Sequence, residues 1–104
     1  SKLRAGVLIS DVVAAEDAYY EKAGVSDINQ TKGGIGHSIG LNVHEYPCLE
    51  AGEDTPLQAG MVMSMEPSLT TPTAGTMCLE QNFIVTETGY ELLSKMPTEL
   101  VRVY

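Results

Sequence analysis

Hydrophobic positions along the chain change period three times, and each change marks a predicted element. From Asp11 to Ala23 the spacing is helical: Val12, Ala15 and Tyr19 fall on one face, Ser10 or Asp11 is placed to cap the start, and Gly24 suits a left-handed stop. Lys2 to Val7 reads as the end of a preceding helix, weakened by Gly6. Asp27 to Gly36 is a polar, glycine-containing connection. Ile39, Leu41 and Val43 then alternate with Gly40, Asn42 and His44, the period-two pattern of a half-buried strand that Pro47 ends. Met61, Met63 and Met65 alternate with Val62, Ser64 and Glu66. A link rich in Pro, Thr and Gly, Pro67 to Gly75, leads to a second run from Thr76 to Thr86. These runs predict two antiparallel strands joined by a long loop. Thr88-Gly89 marks a turn, after which Glu91 to Ser94 predicts a short returning strand. The methionine stripe is assigned to core packing. The sum is an α+β fold, one helix packed on a mainly antiparallel sheet.

Composition bounds what such a fold can do. The 104 residues make one domain or part of one, and 43% apolar with 19% charged residues exclude a disordered tail. The longest apolar run, Ala5 to Ile9, is far below the roughly 20 residues that cross a bilayer, so no membrane association is expected. Fourteen acidic against six basic side chains give a formal charge of −8, and no Lys or Arg occurs from Gly33 to Ser94. That surface repels phosphate backbones, which argues against nucleic acid as a partner and favours a cation. Glu50, Glu53, Asp54, Glu87 and Glu91 lie in turn-like stretches and are read as solvated. Cys48 and Cys78 form neither a CxxC pair nor a disulfide-dense scaffold. They are read as buried thiols in a reducing compartment, hence a cytoplasmic protein.

His37, His44, Glu66 and Glu80 are the ionisable, metal-capable residues set within apolar runs. A hairpin centred near Thr73 places Glu66 opposite Glu80. Two bare like charges in that arrangement cost free energy, and a cation between them makes it favourable; a partly exposed Glu at a strand end is the commoner fate of such residues. Strict alternation puts His37 and His44 on opposite faces, because an odd number of positions separates them. Gly33, Gly34, Gly36 and Gly40 permit a bulge or turn that redirects one ring. Imidazole nitrogen and carboxylate oxygen suit Zn, Mn, Fe or Co, so His37 with Glu66 and Glu80 can form three protein ligands of a metal site.

The run Gly34-Ile35-Gly36-His37-Ser38-Ile39-Gly40-Leu41-Asn42-Val43-His44-Glu45 resembles the GHxIGLxxHE stretch of the pita-bread superfamily, which includes methionine aminopeptidase, aminopeptidase P, prolidase and creatinase. Gly60 to Pro67 resembles that family's GMVxxxEP strand, and Leu79 to Gly89 its final E(D/N)xxxVTExG strand. Order and spacing agree over nearly the whole chain, and the Xaa-Pro peptidase and creatinase branch is the most similar. The resemblance implies that residues 1–104 are the C-terminal half of a pita-bread catalytic domain. It implies His37 and Glu66 as ligands of one divalent metal (Mn, Co or Zn), Glu80 as a bridge between two metals, and His44 as the catalytic, substrate-binding residue that stabilises a tetrahedral intermediate. Peptide or small amide substrates follow, cut at an N-terminal residue or an Xaa-Pro bond.

The sequence also departs from that pattern. The family's paired Asp ligands and a further catalytic His lie upstream of the segment matching Ser1, and Asp11 and Asp17 belong to the helix before the glycine-rich stretch. Cys78 stands where aminopeptidase P types often have Arg, and Gln81 replaces an acidic neighbour. Hence the expectation for this chain alone is at best one weak, solvent-open ion site with no metal firmly held, no peptidase activity, and self-association through the apolar face that the missing N-terminal half covers. Two other functions fit the same residues: a creatinase-like, metal-independent C–N hydrolase, and a non-catalytic binding module of the same fold.

Overall fold

A computed structural model describes residues 2–24 and 34–104. One helix, α1 (Ile9–Lys22), precedes seven strands: β1 (Gly36–Ser38), β2 (Glu45–Leu49), β3 (Val62–Met65), β4 (Ser68–Thr71), β5 (Gly75–Cys78), β6 (Gln81–Val85) and β7 (Tyr90–Leu92). Five of them form an antiparallel sheet in the order β2-β1-β3-β6-β7, and β4 and β5 make a separate hairpin. The α+β architecture expected from the sequence is the one observed.

Helix α1 begins two residues before the expected start, and neither Ser10 nor Asp11 caps it. Its N-cap is Leu8, in extended conformation and without a side-chain cap bond. The chain from Glu53 to Leu57 lies against this end and supplies backbone acceptors: Ile9 N–H donates to the Thr55 carbonyl (3.1 Å) and Ser10 N–H to that of Glu53 (2.8 Å). With those donors satisfied, a side-chain cap is redundant, and the Ser10 hydroxyl instead donates to Asp54 (2.9 Å). The buried stripe is Ile9, Val12 and Val13, and Tyr19 points to solvent. Gly24, at φ +72°, closes the helix as anticipated.

Lys2 to Val7 is not helical. Gly6 adopts φ +83°, and the segment's donors go elsewhere: Ala5 N–H to Thr86 (3.0 Å), Gly6 N–H to Leu57 (2.8 Å). It therefore ties the helix start to the end of β6. The polar connection after the helix lies mostly outside the described residues.

The predicted strand over Ile39 to Val43 is also absent. Pairing stops at Ser38, and Leu41 and Val43 are exposed in a loop. Pro47 does not end a strand but sits within β2, where the β1–β2 register breaks: His37 pairs with Cys48, yet Ser38 pairs with Glu45. Residues 46 and 47 thus bulge from the ladder, where a missing N–H is harmless. The long loop expected between the last two major strands is partly ordered as the β4–β5 hairpin. Its register continues that of β3 and β6: Met65 faces Gln81 and Ser68 faces Cys78. β7 confirms the short return strand, displaced slightly towards Tyr90.

One face of the sheet packs on α1. Met63, Phe83, Val85, Leu49, Ile35 and Leu57 join Ile9, Val12 and Val13 in a single core, with Met61 and Met65 packed against it. The methionine stripe is core, as its spacing indicated. Cys48 is half-buried and Cys78 exposed, both as free thiols, so the expectation of two buried cysteines is corrected for Cys78. It lies at the end of the exposed hairpin strand β5, whose residues have no covering layer.

Candidate metal centre

The opposite face of the sheet carries the candidate residues. Cross-strand partners point to the same side of a sheet, and His37 pairs with Ser64, which pairs in turn with Asn82. Continuing the same parity along β3 and β6 adds Glu66 and Glu80. Close approach of β1 to β3 is what brings His37 into this row. Gly36 allows it, because any Cβ there would collide with the Ser64 carbonyl and crowd the Met65 backbone.

His37 is buried, and its Nδ1 lies 3.0 Å from the Ser38 carbonyl oxygen. A carbonyl only accepts, so Nδ1 carries the hydrogen, and in the neutral ring Nε2 is left with its lone pair. That nitrogen faces Glu66 Oε1 at 3.3 Å. Two electron-rich atoms at this distance require a proton or a cation between them. The Nδ1-to-carbonyl bond is also the outer contact that fixes a metal-binding imidazole in orientation.

His44 comes back to the same place from the loop after β1. Its ring centroid is 4.2 Å from that of His37, with the planes tilted by 53°. The glycine-permitted redirection therefore wins over strict alternation. Ligand atoms of His37, His44 and Glu66 all lie within 4.8 Å of one another. Glu80 is not in that group. It is exposed, and its Oε1 accepts from the fully buried Ser64 hydroxyl at 2.9 Å, which fixes the carboxylate one strand away from His37. The register expectation of Glu66 opposite Glu80 agrees with the flanking pairs Met65–Gln81 and Ser68–Cys78. Slight desolvation, then the charges of Glu66 and Glu80, pushes the Cys78 thiol above its ordinary value.

The donor set fits a divalent ion: two imidazole nitrogens and one carboxylate oxygen converge on a half-buried position, with His37 Nε2 facing the Glu66 carboxylate. Ser64 is the contributor that the sequence pattern did not single out. Ser64 was legible only as the residue two before Glu66 on one strand face. Among the carboxylates read as solvated, Asp54 is exposed as expected and accepts from Ser10, while half-buried Glu53 accepts from the Thr55 hydroxyl and N–H.

Comparison with known proteins gives this arrangement its context. Residues 1–87 match the model of metallopeptidase family M24. The chain belongs to that family. It is 36% identical over 96 residues to YkvY of Bacillus subtilis, covering 92% of this chain and 26% of YkvY. It is 36% identical over 67 residues to the Xaa-Pro dipeptidase of Pyrococcus furiosus, covering 64% of this chain and 19% of that enzyme. Among solved structures, dipeptidase PepE from Mycobacterium ulcerans superposes with a TM-score of 0.84 at 37% identity, over 94% of this chain and 26% of PepE. The Xaa-Pro dipeptidase from Bacillus anthracis superposes with a TM-score of 0.84 at 34% identity, over 94% of this chain and 27% of that one. The pita-bread resemblance read from the motifs is thereby established. This M24 chain spans about a quarter of the length of the relatives it matches.

Proposed function

We propose that residues 1–104 form the C-terminal part of a pita-bread catalytic domain and supply about half of the metal centre of an Xaa-Pro peptidase. The observation that carries this reading is His37 Nε2 set against the Glu66 carboxylate at 3.3 Å, with Nδ1 held by the Ser38 carbonyl. In it, His37 and Glu66 would hold one divalent ion, and Glu80, anchored by Ser64, would be the carboxylate shared with a second. Mn, Co or Zn suits these donors; when bound, such an ion polarises the scissile carbonyl and makes water a nucleophile at neutral pH. His44 is exposed beside His37, where its imidazole can donate to the oxygen of a tetrahedral intermediate. Cleavage of an Xaa-Pro bond is the reading that relatives named Xaa-Pro dipeptidase support.

The remaining ligands come from the N-terminal half of the domain, which in this reading also covers exposed apolar residues such as Met77 and Leu79. The chain alone therefore self-associates and has no peptidase activity. Two free thiols suit a reducing, cytoplasmic setting. The deciding experiment measures hydrolysis of an Xaa-Pro dipeptide by the complete protein before and after exhaustive chelation. Activity is expected to vanish on chelation, to return with Mn²⁺ or Co²⁺, and to be abolished by Glu80→Gln. Turnover that survives chelation would move the assignment to a creatinase-like C–N hydrolase. Specific peptide binding without turnover would make the domain a binding module.

A further inference from the structure

Glu45 takes no part in the roles assigned above, yet its carboxylate is held inside the loop that carries His44. It opens β2 and pairs with Ser38 where the β1–β2 register breaks. From there it turns back into the loop from Gly40 to His44. Its Oε1 accepts from Asn42 N–H at 2.9 Å and lies 3.5 Å from Asn42 Nδ2. A Cβ on Gly40 would land on the carboxyl group itself, meeting all three of its terminal atoms. Leu41 and Val43, the loop's apolar residues, are exposed and do not anchor it to the core. What fills the loop is one carboxylate, and the residue next to that carboxylate in sequence is His44.

We infer that Glu45 is a positioning residue: its carboxylate is the internal strut that holds the Gly40–His44 loop closed and so keeps the His44 ring 4.2 Å from His37. A charge-assisted bond to Asn42 N–H is stronger than a neutral one, which suits a strut in a loop with little packing of its own. Gly40 is part of the same device, since only a residue without Cβ leaves room for the carboxylate. The catalytic consequence rests on the function proposed above; the placement of His44 does not.

The test uses the complete protein with Glu45→Ala, Glu45→Gln, Gly40→Ala and the double variant Gly40→Ala/Glu45→Ala. Two readouts are taken: the imidazole carbon-bound proton resonance of His44, assigned through His44→Asn, and kcat and KM with Co²⁺ affinity measured alongside. Glu45→Ala is expected to shift the His44 resonance and to lower kcat about 10–100-fold, the range typical of outer hydrogen-bond partners at metal sites, while Co²⁺ affinity changes little. Glu45→Gln, which keeps an acceptor for Asn42, should restore most of both. Gly40→Ala should reproduce the loss, and the double variant should be no worse than Glu45→Ala, because the displaced carboxylate is already gone. An unshifted His44 resonance in Glu45→Ala, or additive losses in the double variant, would overturn the inference. If Glu45→Ala does not fold, the comparison of Glu45→Gln with Gly40→Ala decides: equal displacement of His44 in both defeats the strut. A protein without turnover would end the functional proposal, while the resonances would still judge the strut.

Discussion

At the residue scale the account depends on where single protons and lone pairs sit. The Ser38 carbonyl holds His37 through Nδ1, and that one bond turns the Nε2 of a buried histidine towards Glu66. His37, Glu66 and Glu80 were legible because ionisable residues inside apolar runs are costly unless paired. Ser64 was not, because a serine in a strand carries no signal until Glu80 is brought to it, and Glu45 stood out only as the last residue of the GHxIGLxxHE-like run, its contact with the Gly40 loop hidden until the chain folds. A second residue-scale prediction concerns α1. Burial pushes the Glu16 carboxyl above its ordinary value of 4.5, opposed by a Tyr20 hydrogen bond and aided by the charge of Asp17. Its Oε2 is buried without a hydrogen-bond partner among the described residues. The folded state therefore holds this proton to higher pH than the unfolded chain does, so stability falls as pH rises through the window above 4.5. Glu16→Gln removes that penalty. Its melting temperature should exceed that of the parent at pH 7, with the advantage gone at pH 4; an equal difference at both pH values would refute the assignment.

At the element scale, the errors of pattern reading share a cause: local signals were overridden by partners distant in sequence. Ser10 and Asp11 look like caps, but carbonyls of Glu53 and Thr55 satisfy the first turn from outside. Leu41 and Val43 mimic a strand, but the ladder ends at Ser38, because β2 resumes pairing only at Glu45. Correct readings came where the pattern was long or symmetric, as in the methionine stripe of β3 and the register about Thr73 shared by both hairpin layers. β1 approaches β3 closely at Gly36. Gly36→Ala forces a methyl group into the Ser64 backbone, which cannot swing aside as a side chain can. Destabilisation of about 1–3 kcal/mol or more is expected in urea unfolding, together with weakened metal binding as His37 shifts. A stability within 0.5 kcal/mol of the parent, a margin ordinary for roughly neutral substitutions, would show that the strands separate freely.

At the scale of the whole molecule, one sheet divides labour between its faces. Met63, Phe83 and Val85 pack on α1 and fix the strands, and the residues between them hold the donors on the other side. The candidate donors are thus placed by strands whose other face is packed in the core. An overall charge of −8 adds a field that favours cations at that face. The central claim is that His37 and Glu66 form a divalent metal site. The most direct measurement is a Co²⁺ titration of the complete protein followed by its d–d absorption, repeated with His37→Ala and Glu66→Gln. The account predicts a saturable spectrum with nitrogen and oxygen ligation in the parent, lost or weakened at least tenfold in both variants, as expected when a ligand is removed. A titration curve that is unchanged in both variants would place the metal elsewhere and contradict the account.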